Sequence, residues 1–327
     1  MANVTYPNVY QDFLIGVNFL NFDLGWVVSA GCFVDFDFHD RLLIMTIGPI
    51  ATLGLLGMTY IVAVHRNHSS AAALQTVRHK HMSMVLLLTF LVYSSVSAVV
   101  FQTFACDKLD DGGDYLRADY RTKCTDEKHQ NMMAYSACMI ALYPVGIPVL
   151  YASVLFENCT LLQNETRRNE SIFVKSISNL WEPYKPSRFY YEVVECGRRI
   201  LLTGVMVFIF PDSAAQIAVA LMMAFIFAVT SEVLSPFESR WDAWINRMGH
   251  SVIFTSMYVA LLLKVDVSQE DELSQELFEI ILVTVHGCMI LGVLIEVAVI
   301  ACPSLVTNET GPKQGLPSSS VLRQFSI

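Results

Sequence analysis

The sequence predicts an all-α membrane protein: a seven-transmembrane-helix bundle, N-terminus outside and C-terminus inside, with an interfacial amphipathic helix before the fourth span. Three observations carry this. Of 327 residues, 54% are hydrophobic and 16% charged, against roughly 25% charged in an ordinary soluble domain. The mean hydropathy is +0.47. The apolar surplus falls into runs of about twenty residues, long enough to cross a hydrocarbon core. The runs are continuous rather than alternating, which excludes a β-barrel. A formal net charge of −9 excludes nucleic acid as a partner, because nucleic acid calls for a basic face.

Residues 1–41 read as an extracellular or interfacial segment. Their apolar stretch, Phe13–Val34, is interrupted by Asn18, Asn21 and Asp23. No basic region followed by a small-residue cleavage site marks a signal peptide. The seven-span module covers 42–301. Its spans are Leu42–Val64, Met84–Phe104, Met132–Leu155, Tyr190–Phe210, Ser213–Leu234, Asn246–Val265 and Leu277–Ala301. Before the fourth, Phe173, Ile177, Leu180, Trp181 and Tyr184 recur at helical spacing, with Trp and Tyr suited to the headgroup zone. Residues 302–327, rich in Ser, Pro and Gly, read as a disordered cytosolic tail.

Charge sets the orientation. With the N-terminus outside, the inner segments hold 14 of the 21 Lys and Arg against 10 acids, which is +4. The outer segments hold 7 against 18, which is −11. Cys106 and Cys124 share the outer loop between the second and third spans. In an oxidising compartment they would close a short disulfide loop worth about 3 kcal/mol. Asn3-Val-Thr5 is an outer glycosylation sequon. The sequons at Asn67, Asn158, Asn164, Asn169 and Asn308 fall inside and run against this topology.

Several spans hold polar groups. Arg199 lies 11 residues before Phe210, so a continuous helix puts Arg198 and Arg199 roughly 16 Å from the outer boundary, near mid-depth. Glu195 is three and four residues earlier, the spacing of a same-helix ion pair. A buried pair and two arginines snorkelling to the cytosol both satisfy the sequence. His286, nine residues into the seventh span, completes the candidate charge layer. Pro144, Gly146 and Pro148 in the third span predict a kink or hinge, since two prolines remove two backbone donors. Asp266, Glu270, Asp271, Glu272 and Glu276 form an acidic outer rim that could concentrate cations.

Three stretches together resemble a known group. They are Phe104-Ala-Cys-Asp-Lys with Asp-Asp-Gly-Gly-Asp-Tyr-Leu-Arg-Ala-Asp-Tyr120, Cys124 and His129; Tyr143-Pro-Val-Gly-Ile-Pro-Val-Leu-Tyr151; and Tyr184-Lys-Pro-Ser-Arg through Thr203. Leu261-Leu-Leu-Lys-Val-Asp266 adds a fourth. From about Tyr10 to Ala301 the chain is similar to the transient-receptor-potential-like (TRP-like) multi-pass module of oomycete, algal and other protist surface proteins. The resemblance implies a cation channel subunit or channel-related membrane sensor in the plasma membrane. Membrane lipids, cations and further copies of the chain are its expected partners. The Cys-rich ectodomain that usually precedes the module is not in this sequence. Asp266–Glu276 is short and acidic, unlike the re-entrant loop of a TRP pore.

Two other functions remain open: a seven-pass receptor-like sensor, and an anchor for a Cys-rich ectodomain. No Walker-type loop, His-Glu-x-x-His, Cys-x-x-Cys or Gly-x-Ser-x-Gly is present. The sequence therefore predicts no enzyme, catalytic residue, metal or cofactor.

Overall fold

The computed structural model describes residues 37–68, 70–109, 112–211, 213–265 and 280–295, apart from 289 and 293. Asn3 and the acidic rim 266–276 lie outside these residues. Four helices are long and apolar enough to cross a membrane: Phe38–Arg66, Ala71–Gln102, the run Glu127–Glu157 and Ala214–Leu234. They coincide with the first, second, third and fifth expected spans, and they are the make-up of an integral membrane protein.

Two compact units divide the chain. Among the described residues, the first holds 37–182 and 186–208, and the second holds 183–185 and 209–295.

In the first unit, α1 (Phe38–Arg66) and α2 (Ala71–Gln102) form a hairpin. Ser70 caps α2 by accepting from the Ala73 amide at 3.4 Å. The chain then makes a three-stranded antiparallel sheet, β1 (Cys106–Lys108), β2 (Asp114–Leu116) and β3 (Asp119–Lys123), in the order β1-β2-β3. Hydropathy gave no sign of it, because strands of three to five residues carry too little period to read. Next come α3 (Glu127–Ile140), a π-helical turn (Ala141–Val145) and α4 (Gly146–Glu157). Four short helices follow: α5 (Cys159–Leu162), α6 (Glu165–Glu170), α7 (Ile172–Ser176) and α8 (Ser178–Trp181). The last, α9, spans Tyr191–Thr203.

The core of this unit is one apolar cluster. Leu42 and Met45 of α1, Leu86, Tyr93 and Val100 of α2, Tyr151 and Leu155 of α4, and Cys196 of α9 meet in it. By contrast α1 leaves Ile47, Leu55, Met58 and Ile61 exposed, the pattern of a lipid-facing surface.

Two sequence expectations change here. The amphipathic stretch 171–184 contains two short helices; of its expected apolar face, Ile177, Leu180 and Trp181 are buried in the core cluster, while Phe173 is exposed. Burying them against protein removes the same apolar area as burying them in lipid, so periodicity alone does not separate the two. The expected fourth span, Tyr190–Phe210, is also interrupted. After α9 the chain passes through Gly204 into a 3-10 turn, Val205–Phe208. Thirteen helical residues cover only about 20 Å.

The second unit contains α10 (Ala214–Leu234), α11 (Arg240–Lys264) and α12 (Ile280–Gly292). Ser213 and Ser239 cap α10 and α11. α11 has 25 residues, enough for about 37 Å, but Arg240, Asp242 and Arg247 charge its N-terminal part. In this unit Val259 of α11 packs on Leu282 of α12.

Candidate functional site

Helix α9 turns a charged face inward. Glu192, Glu195, Arg199 and Leu202 recur at three- and four-residue spacing on one side. Glu192 is 1% exposed, Arg198 9% and Arg199 6%. The Glu195 carboxylate accepts from Arg198 Nε at 3.1 and 3.0 Å and again from Arg198 Nη2. It also accepts from Arg199 Nε at 3.4 Å. Arg198 and Arg199 are thus paired with Glu195 and buried within the protein.

The surroundings come from α2. The Arg199 guanidinium lies 5.4 Å from the centre of the Phe90 ring, a cation–π contact. One turn along, the Tyr93 hydroxyl donates to the Cys196 carbonyl at 3.0 Å. Gly204 ends the helix where α9 comes closest to α2. A Cβ there would sit 2.2 Å from Cδ2 of the buried Phe101 ring. Glu195 is thus shared by two guanidinium groups, those of Arg198 and Arg199, on the face of α9 that meets α2.

The predicted kink is a π-helical turn. Pro144 lies within it and α4 begins at Gly146. Neither Pro144 nor Pro148 can donate to a carbonyl four residues back. The turn also places Tyr143, whose hydroxyl donates to the Thr46 carbonyl of α1 at 2.6 Å. That carbonyl lies near Pro49, a second break in the donor ladder. Thr46 and Tyr135 bond through their hydroxyls at 2.7 Å, and Thr89 and Tyr151 at 2.9 Å. These hydroxyls tie α1, α2, α3 and α4 together through the unit's interior.

Cys106 and Cys124 are joined by the expected disulfide. Arg117 donates from Nε to both Asp107 carboxylate oxygens at 2.9 and 3.0 Å, and the Tyr120 hydroxyl donates to the same carboxylate. Beneath the sheet lie two buried imidazoles, His39 at 3% and His129 at 0% exposure. His39 Nε2 and His129 Nδ1 are 3.1 Å apart, so one donates and the other accepts, and at least one ring is neutral.

His286 belongs to the second unit, where its Nδ1 bonds the Leu282 carbonyl of its own helix at 2.9 Å. Three of the sequon asparagines make hydrogen bonds at helix ends. Asn67 and Asn158 donate to the carbonyls of Ala63 and Val154 at 2.8 Å, and Asn164 accepts from the Arg167 amide at 3.2 Å. Each sits at a helix end, where short polar side chains satisfy the unpaired backbone groups.

Compared with known proteins, the chain matches no family model, no curated protein and no solved structure. What the residues can do is therefore read from their own geometry. Sequence reasoning found Glu195, Arg198 and Arg199 by spacing. It missed His39 and the Tyr135–Thr46–Tyr143 set, whose partners are about ninety positions apart. His129 was visible only as the last residue of the Cys106–Cys124 stretch.

Proposed function

We propose that the protein is a channel-related membrane sensor, or a TRP-like cation channel subunit, in the plasma membrane, with seven passes, its N-terminus outside and Asn3 glycosylated. The observation that carries this reading is the buried Glu195–Arg198–Arg199 cluster on α9. Charges inside a membrane protein are costly and mark sites that respond to voltage, ions or bundle rearrangement. A charge moved through the field is worth about 2.3 kcal/mol per 100 mV, enough to bias a two-state bundle. The π-turn at Pro144 supplies a hinge that would let the third span bend as the cluster repacks. The acidic 266–276 segment would concentrate cations at an outer mouth formed by several copies of the chain, with lipids around it.

Whole-cell recording from cells expressing the full chain tests this. The expected result is a cation current under stretch, cooling, heating or voltage. Arg198→Ala or Glu195→Ala should shift its threshold while surface expression is retained. Silence under all four stimuli, with the protein at the surface, removes the channel reading. A current indifferent to both substitutions removes α9 as its sensing element.

A further inference from the structure

The Cys106–Cys124 stretch ends in a histidine that the proposed function does not use. His129 is fully buried, it lies in the first turn of α3, and one of its ring nitrogens and the two cysteine sulfurs all lie within 4.8 Å of one another. Two sulfurs and an imidazole at that range are the donor set of a zinc-type site.

We propose that Cys106, Cys124 and His129 form a thiolate–imidazole site for a borderline transition metal such as zinc(II) when the disulfide is reduced. The outer hairpin thus has two closed forms, one held by a disulfide and one by a metal.

The backbone suits both. The Cα atoms of Cys106 and Cys124 are 6.4 Å apart; Cys106 pairs with Leu116 of β2, and the Cys124 amide donates to the Asp114 carbonyl of β2 at 2.9 Å. Zinc–sulfur bonds of about 2.3 Å and zinc–nitrogen bonds of about 2.0–2.1 Å set tetrahedral ligand atoms roughly 3.4–3.8 Å apart. Rotating the cysteine side chains opens the sulfurs to that spacing with the strands in register.

The histidine is prepared for the role. His39 Nε2 engages His129 Nδ1, so Nε2 is the nitrogen the proposed site would use. That Nε2 is buried, and the Thr103 backbone is also close to the ring. A partner on the second ring nitrogen is what fixes tautomer and ring angle in metal-binding histidines. His39, from the start of α1, is therefore a positioning residue. The site has three protein ligands, which leaves a fourth position for water or an external donor.

The chemistry balances. Two equivalents of an external thiol reduce Cys106–Cys124 to two thiols and are themselves oxidised to one disulfide. The two protein thiols then release two protons to solvent as their sulfurs bind the divalent ion. His129 binds as the neutral imidazole and releases none. The site is independent of ion conduction, so failure of the channel reading leaves it standing.

The test uses the full chain in detergent micelles, reduced with a phosphine and freed of it anaerobically, alongside the oxidised chain. Cobalt(II) is the probe, and zinc(II) the competitor. The expected result is one cobalt per reduced chain, with near-ultraviolet thiolate-to-cobalt charge transfer and the visible bands of a tetrahedral site. Zinc should abolish both. The oxidised chain should show neither. His129→Asn should weaken binding at least tenfold, and His39→Gln about tenfold. Absence of charge-transfer bands in the reduced wild-type chain overturns the proposal without any variant. So does equal binding by the oxidised chain, or by folded His129→Asn.

Discussion

Two arginine–carboxylate pairs in this protein have nearly the same geometry and opposite settings. Arg247 donates from Nε and Nη2 to Glu232 at 2.7 and 3.0 Å. Arg198 grips Glu195 in the same forked way. The Glu232–Arg247 side chains are 51% and 58% exposed, whereas those of Glu195 and Arg198 are 12% and 10% exposed. Water competes for the first pair and screens it. The second is sealed against α2, and its charges have only each other and their protein neighbours. Forked geometry alone therefore does not say what a pair contributes; the medium around it does.

Substitutions can break or sharpen this contrast, measured as unfolding free energies in detergent micelles. The largest effect is expected from Glu195→Gln, which leaves Arg198 and Arg199 buried with a weakened counterion. It should destabilise the chain by about 3–5 kcal/mol. If it behaves like an exposed-pair substitution, the α9 layer is wetter than its burial says. Gly204→Ala comes next, at about 1–3 kcal/mol, because the new methyl meets the Phe101 ring. A smaller cost would mean that α9 and α2 are not held tightly where the charged face is sealed. Tyr93→Phe removes one hydrogen bond, to the Cys196 carbonyl, and should cost about 1 kcal/mol. Glu232→Gln should be smallest, below about 1 kcal/mol, with its effect fading further in high salt. An effect equal to that of Glu195→Gln would abolish the distinction between the two pairs.

The i, i+3 and i, i+4 spacing of Glu195 with Arg198 and Arg199 was legible because helix geometry fixes which near neighbours meet. The disulfide was legible for a similar reason: two cysteines in one loop have few other partners. The two short helices in 171–184 were not, because the same apolar period serves a lipid surface and a protein core. Nor did the sequence show that three sequon asparagines, Asn67, Asn158 and Asn164, sit at helix ends, each bonded to a carbonyl or amide of its own turn.

By itself, then, the sequence determined what depends on composition and local period: apolar helices of membrane length, the kink at Pro144, and the candidate ion pair on α9. Only the tertiary structure decided whether that pair is buried, where α9 stops, and that His39 meets His129. Those outcomes turn on which surfaces exclude water and on contacts between residues about ninety positions apart. A helical period reaches four residues along the chain. What lies opposite its buried face is settled by the packing of other helices.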